Sequence, residues 1–145
     1  DVHLRCADLT ANAQAVVAEA WVSIGGFDGN EEAWIPRLMT RRIGAAPLRS
    51  TFVAVIEPYE GKSNIAAIRR LSLRNDTHVA VEARLTDGRR DVLVVTDPEA
   101  GDRSALPDAI REACGFWFDG DLCVVRFDSE GRVAHSVAEG GRVEF

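Results

Sequence analysis

Apolar and polar residues alternate with a period of two through much of this chain, the spacing that presents one face of a β-strand to a core. Val2, Leu4 and Cys6 alternate with His3, Arg5 and Ala7, which predicts a half-buried first strand. Residues Thr10 to Ile24 admit two readings. Thr10 can cap an Ala-rich helix, but the β-branched and aromatic residues from Ala15 to Ile24 suit a strand, and the strand is favoured. Gly25 to Asn30, Gly-Gly-Phe-Asp-Gly-Asn, is a loop by its chemistry. Five apolar residues in a row, Phe52 to Ile56, suit a strand buried on both faces. Pro58 then removes a ladder donor and Gly61 permits a turn, so that strand ends at an exposed Glu-Pro-Tyr corner.

Asn64 to Leu73 reads as a further strand anchored by Ile65, Ile68 and Leu71. In Thr77 to Leu85, Val79, Val81, Ala83 and Leu85 share one face, while His78, Glu82 and Arg84 share the other, taken as outward. Asp87-Gly88 turns the chain into Asp91 to Thr96, the strongest hairpin signal in the sequence. Asp97 to Cys114 is irregular, with one short helix expected at Pro107 to Ala113. Gly115 to Phe145 reads as three strands broken by turns at Asp119-Gly120, Asp128 to Gly131 and Gly140-Gly141. Short strands punctuated by Gly and Asp predict an all-β fold: an antiparallel β-sandwich with at most one short helix, forming a single domain over residues 1–145.

A chain of 145 residues can bury a substantial core, and 46% apolar content with mean hydropathy near zero marks it as globular. No apolar run is long enough to cross a membrane as a helix. With neither an initiator Met nor a signal-like start, the sequence is expected to be a segment of a longer polypeptide. Cys6, Cys114 and Cys123 fit no disulfide framework and no paired metal spacing. Cys123 reads as a small buried hydrophobe, and a pairing of Cys6 with either of the others stays open.

Charge changes the picture more. The net charge is −6, yet Ala33 to Asn75 carries eight cations against Glu57 and Glu60, a local +6 that leaves −12 for the remainder. Sixteen of the seventeen cations are arginine, the residue that grips carboxylates and sulfates with a planar two-pronged fork. The alternative is that these arginines cover solvent-facing strands or pair with local carboxylates. Neither a diffuse basic footprint nor an aromatic-studded RNP-type strand is present, so nucleic acid is not an expected partner.

Catalytic signatures are sparse. His3, His78 and His135 have no second His or Cys at ligand spacing, and no Gly-x-Ser-x-Gly elbow or phosphate-binding glycine loop occurs. Asp119-Gly-Asp121 lacks the rest of a calcium loop, and Glu31-Glu32 reads as solvated surface. No metal site and no cofactor is expected. Tyr59 is the single tyrosine. Abstraction of a proton beside a uronate carboxylate suits a Tyr or His base with a nearby Arg or Glu. Tyr59, Glu57, Arg42 and His78 can be cast in those roles, although a Tyr after Pro at a strand end more simply buries its ring.

Arg41-Arg42-Ile43-Gly44, the run Ser50 to Lys62 (Ser-Thr-Phe-Val-Ala-Val-Ile-Glu-Pro-Tyr-Glu-Gly-Lys) and Ile65 to Leu73 resemble consecutive sandwich strands of heparinase II/III-like polysaccharide lyases. Phe118 to Val133 resembles the closing hairpin of the same C-terminal region, so the resemblance spans roughly residues 35 to 140. It implies a C-terminal sandwich that braces a catalytic helical toroid of the same chain and contacts an acidic, uronate-containing polysaccharide. The family's His-Gly-His element and helical repeat are missing from this sequence, so no catalytic residue is carried over. Arg41, Arg42, Arg69, Arg70 and Tyr59 are the candidate ligand contacts, and no membrane partner is expected. The alternative is an independent carbohydrate-binding or protein-interaction sandwich using Trp21, Trp34 or Trp117 as an aromatic platform.

Overall fold

A computed structural model describes residues 1–24 and 31–145, the residues at 23, 24, 31 and 32 by backbone alone. The loop expected at Gly25 to Asn30, with Phe27, and the side chains of Glu31 and Glu32 lie outside the described residues. In chain order the strands are β1 (Val2–Asp8), β2 (Gln14–Ile24), β3 (Glu31–Arg41), β4 (Ala54–Glu60), β5 (Ile65–Leu71), β6 (Val79–Leu85) and β7 (Arg90–Val95). Helix α1 (Leu106–Cys114) follows, then β8 (Trp117–Phe118), β9 (Leu122–Phe127), β10 (Val133–Glu139) and β11 (Val143–Glu144). The fold is all-β, with antiparallel pairings and one short helix. Two compact units emerge: residues 10–52, and residues 1–9 joined with 53–145.

In the smaller unit β2 and β3 form an antiparallel hairpin from Gln14 opposite Arg41 to Ile24 opposite Glu31. The strand reading of Ala15 to Ile24 holds: its β-branched and aromatic residues are better housed on a pleat than in a helix. Trp21 lies opposite Trp34 and Val17 opposite Leu38, so all four share one face, and all four are exposed.

The larger unit is built on a five-stranded sheet in the order β10-β9-β7-β6-β5. One face carries the main core. Leu71, Ala80, Val92, Val94, Cys123, Val125 and Phe127 pack there with Leu106, Ile110 and Cys114 of α1, and with Phe116 and Phe118. Pro107 sits at the start of α1, where its missing N–H is harmless. Gly115 ends the helix in a left-handed conformation and donates its N–H to the Arg111 carbonyl. The expected helix is therefore present, one residue longer at each end.

On the opposite face, the β1–β4 ribbon contributes to a smaller cluster. Val53, Val79 and Val81 are buried there, with Leu9, Val55 and Ile68 packed around them. The first strand departs from expectation here. Register pairs His3 with Tyr59, Arg5 with Glu57 and Ala7 with Val55, and Val55 belongs to the inner cluster. Val2, Leu4 and Ile56 therefore face outward, at 81%, 71% and 64% exposure. Phe52 to Ile56 is likewise not buried throughout: Val53 is, whereas Phe52 and Ile56 are exposed. The C-terminal segment contains two full strands and two two-residue strands in place of three.

The β6–β7 hairpin forms around Asp87-Gly88 as expected, with Gly88 at φ 88°. Its first strand differs in burial: Val79 to Glu82 are buried without a break, Ala80 in the main core, Val79 and Val81 in the ribbon-side cluster, and Glu82 beneath arginine side chains. His78 is buried as well. Its Nδ1 accepts the Asp97 N–H at 3.1 Å, which leaves the neutral ring's proton on Nε2. Burial, joined by the nearby Arg103 charge, holds its pKa below the ordinary 6.5, and Asp97 opposes this only in part.

Where β8–β11 meets the end of β10, two glycines touch. A Cβ on Gly120 would sit 2.5 Å from the Glu139 carbonyl oxygen and 2.7 Å from the Gly141 nitrogen. Arg103 secures this corner, donating to the Gly120 carbonyl at 2.6 Å, while Thr96 Oγ1 donates to the same oxygen at 2.7 Å.

Two predictions follow from this packing. Gly120→Ala is expected to lower stability by about 2–3 kcal/mol, as backbone must move to admit the methyl; urea unfolding measures it. Because unfolded His78 binds a proton at a higher pH than the folded residue, stability should fall as pH drops below about 6.5. Melting curves at pH 7.5, 6.5 and 5.5 test this, and His78→Gln should flatten the slope over that interval.

Candidate anion-binding site

Of the residues singled out from sequence, Arg69, Arg70 and Tyr59 belong to the larger unit and Arg41 and Arg42 to the smaller. Arg69 and Arg70 are neighbours on β5 and so point to opposite faces. Arg70 turns to the ribbon side, donating to the Asp76 carbonyl at 3.2 Å and lying 3.5 Å from that of Leu9. Arg41 and Arg42 belong to the other unit, where Arg41 donates to Gln14 Oε1 at 3.0 Å and Arg42 to the Arg49 carbonyl at 3.3 Å. Tyr59 is half-buried, its ring stacked on His3 with centroids 5.1 Å apart. Further along that ribbon face Arg5 Nη2 lies 2.6 Å from Glu57 Oε2 and donates to Ser63 and the Ile65 carbonyl. The Glu57 approach is a charge contact off the hydrogen-bonding direction, and Arg5 Nε has no partner among the described residues. Within the larger unit His78, Glu57 and Tyr59 each engage different partners: Asp97, then Arg5 with Ser63, then His3.

Arg69 does belong to a cluster, centred on Glu82. Glu82 is 1% exposed, not outward as the alternation suggested. It stands opposite Arg69 on β5, and Arg84 follows two residues later on the same face of β6. Hairpin register sets Arg84 directly opposite Arg90 on β7. Arg69 Nε and Arg84 Nε both donate to Glu82 Oε1, at 2.7 and 2.8 Å, while Arg90 Nη1 donates to Oε2 at 3.2 Å. Arg90 also lies over the Phe127 ring, 4.0 Å from its centroid.

The electrostatics follow from this placement. Burial alone would push the Glu82 carboxyl up, but hydrogen bonds from Arg69, Arg84 and Arg90 outweigh it and hold the pKa below the ordinary 4.5. Glu82 is therefore ionised at neutral pH, and four charged groups leave a local balance of +2. The burial is shallow: the cover over the carboxylate is the arginines themselves, whose side chains are 57%, 58% and 31% exposed for Arg69, Arg84 and Arg90.

Two clefts flank the cluster. One, of about 520 Å³, lies between the end of β5 and α1, lined by Arg69, Leu73, Arg74, Ala109 and Glu112. The other, of about 380 Å³, is lined by Arg84, Arg89, Arg90, Phe127, Asp128 and Ser129 at the hairpin ends. The negative groups near the second are engaged: Asp87 with Arg89 and Asp128 with Arg132.

Nucleophile chemistry has little to work with nearby. Burial pushes the Cys114 thiol up to about 12 and that of Cys123 up to about 11, so both remain protonated. Among the described residues no group of three or more His, Cys, Asp or Glu could hold a metal ion, and all three cysteines are free.

Glu82, Arg84 and Arg90 were missing from the sequence-derived contacts. The signal lay in the Asp87-Gly88 turn, whose hairpin register opposes Arg84 to Arg90. Arg69 joins only through the β5–β6 pairing, which crosses the irregular segment Ser72 to His78.

Comparison with protein-family models, curated proteins and solved structures finds no match to this chain.

Glu82→Gln is expected to cost about 1–2 kcal/mol, since Arg84 and Arg90 would face each other without their shared anion. Arg69→Gln, which leaves Glu82 two partners, should cost under about 1 kcal/mol. Because Glu82 has a depressed folded pKa, its contribution is present above pH 4.5 and lost as pH falls through that lower value. Urea unfolding at pH 7 and at pH 3 should show the gap between wild type and Glu82→Gln shrinking in acid.

Proposed function

We propose that this chain is the non-catalytic C-terminal β-sandwich portion of a heparinase II/III-like polysaccharide lyase, which braces a catalytic domain and contacts an acidic, uronate-containing glycan. The family reading rests on the residue runs from Arg41 to Leu73 and Phe118 to Val133. The observation that carries the bracing role is the outer face of the β1–β4 ribbon, where Val2, Leu4 and Ile56 stand exposed beside Cys6 and Pro58. Glu60 and Asp8 share this face at its two ends, and the apolar stretch between them is a surface for packing against another body. The uncovered part of the five-stranded sheet adds Leu93, Val95 and Val137. The glycan role draws on the arginine content of the chain, whose guanidiniums suit carboxylates and sulfate esters.

A second reading is favoured by one observation. Trp21 and Trp34 stand side by side on one face of the β2–β3 hairpin, exposed by 46% and 65%. Adjacent exposed indoles form the kind of flat platform that sugar rings stack on in independent carbohydrate-binding modules.

The bracing role predicts that a hydrophobic dye binds the 145-residue chain but not the longer natural polypeptide containing it. Leu4→Gln with Ile56→Gln should abolish most of the chain's signal. Equal dye binding by both polypeptides would count against bracing; acrylamide quenching that a neutral oligosaccharide relieves would favour the tryptophan platform.

A further inference from the structure

We propose that Arg69, Arg84 and Arg90, anchored on Glu82 between the two clefts, form a binding site for the anionic oxygens of an acidic oligosaccharide. The choice of a glycan as ligand rests on the function proposed above; the anion site itself rests on geometry alone.

Three features separate this cluster from an ordinary surface ion pair. First, the guanidiniums share one carboxylate, so the group is not neutralised and keeps a balance of +2. Second, Arg69 and Arg84 each spend Nε on Glu82 Oε1, which leaves both Nη groups of each outside that bond on side chains more than half exposed. These Nη groups are the donors that grip a carboxylate or sulfate in two-pronged fashion. Third, the side chains are already fixed, by Glu82 and, for Arg90, by Phe127, so less rotamer freedom is lost when an anion binds.

The flanking clefts define the ligand's shape. Arg69 lines one and Arg84 with Arg90 lines the other, so an occupant that touches all three runs along the sheet face from one cleft to the other. That favours a chain with repeated anionic groups over a single small ion. Glu112, which lines the first cleft, sets a limit on the negative charge accepted at that end. Nucleic acid is disfavoured because the one aromatic ring at the cluster, Phe127, is buried beneath Arg90 and offers no face for a base to stack on.

The test titrates the 145-residue chain at low salt with oligogalacturonate, with a sulfated oligosaccharide, with inorganic sulfate and with single-stranded DNA, monitored by the Arg Nε–Hε signals in nitrogen-edited NMR. Either acidic oligosaccharide should shift the signals of Arg69, Arg84 and Arg90, and the arm that binds more tightly tells carboxylate from sulfate recognition. Arg84→Gln should weaken binding about tenfold, the loss of one strong charge-assisted contact. Arg84→Lys, which keeps the charge without the fork, should still lose several-fold. Arg142→Gln, an equal change of charge at the Asp119 and Glu144 pair, should leave affinity nearly unchanged. Equal losses for Arg84→Gln and Arg142→Gln would reduce the effect to diffuse attraction and overturn the site. Binding of inorganic sulfate or DNA without the oligosaccharides would overturn the glycan assignment. A natural polypeptide that proves to contain no lyase domain removes the function proposed above and leaves this result standing.

Discussion

The carboxylate of Glu82 is buried on β6, where arginine side chains take the place of water around it. A lone charge there would be neutralised by protonation or would push the layers apart. Three guanidiniums prevent both outcomes, and they come from three different strands, β5, β6 and β7. Adjacent strands thus meet at a common charge as well as at their backbone ladders. A one-residue slip of β5 or β7 against β6 would send Arg69 or Arg90 to the opposite face. The electrostatic requirement of one residue therefore reinforces the register of the central strands.

The same arrangement gives the sheet two unlike ends. Toward α1 the face is apolar and closed, with Val92, Val94, Cys123 and Val125 beneath Ile110. Toward the hairpin loop the core gives way to charge, and Arg90 over Phe127 marks the boundary. An ionic cluster can persist at this margin because its arginines reach solvent while its carboxylate does not. The ribbon face is organised differently, around a small aliphatic cluster flanked by the Arg5–Glu57 contact.

Much of the fold was legible in the residue pattern. Alternation and apolar runs placed β1, β2 and β4 to β7, Asp87-Gly88 placed the central hairpin, and Pro107 with the residues after it placed the helix, whereas no strand was expected at Glu31 to Arg41, where β3 forms. Orientation was less legible, because period two identifies two faces without saying which is inside. At β1 the apolar face was expected inward, yet the partners of Ala7 and Arg5 are what the sheet receives. His78 just before β6 and Glu82 within it, polar by composition, were expected at the surface, yet both are buried. Of the candidate contacts, Arg69 was identified without its partners. Its neighbour Arg70 was excluded from the same cluster by the alternation that runs through the whole chain.

The three thiols divide sharply by surroundings. Cys114 and Cys123 are packed into the main core and held protonated far above neutral pH, whereas Cys6 lies exposed on the ribbon among Leu4, Ile56 and Pro58. The apolar face of β1–β4 therefore carries its own chemical reporter. A thiol reagent reaches the sulfur of Cys6 while that face is open and is shut out once another body covers it, with the two core sulfurs silent throughout.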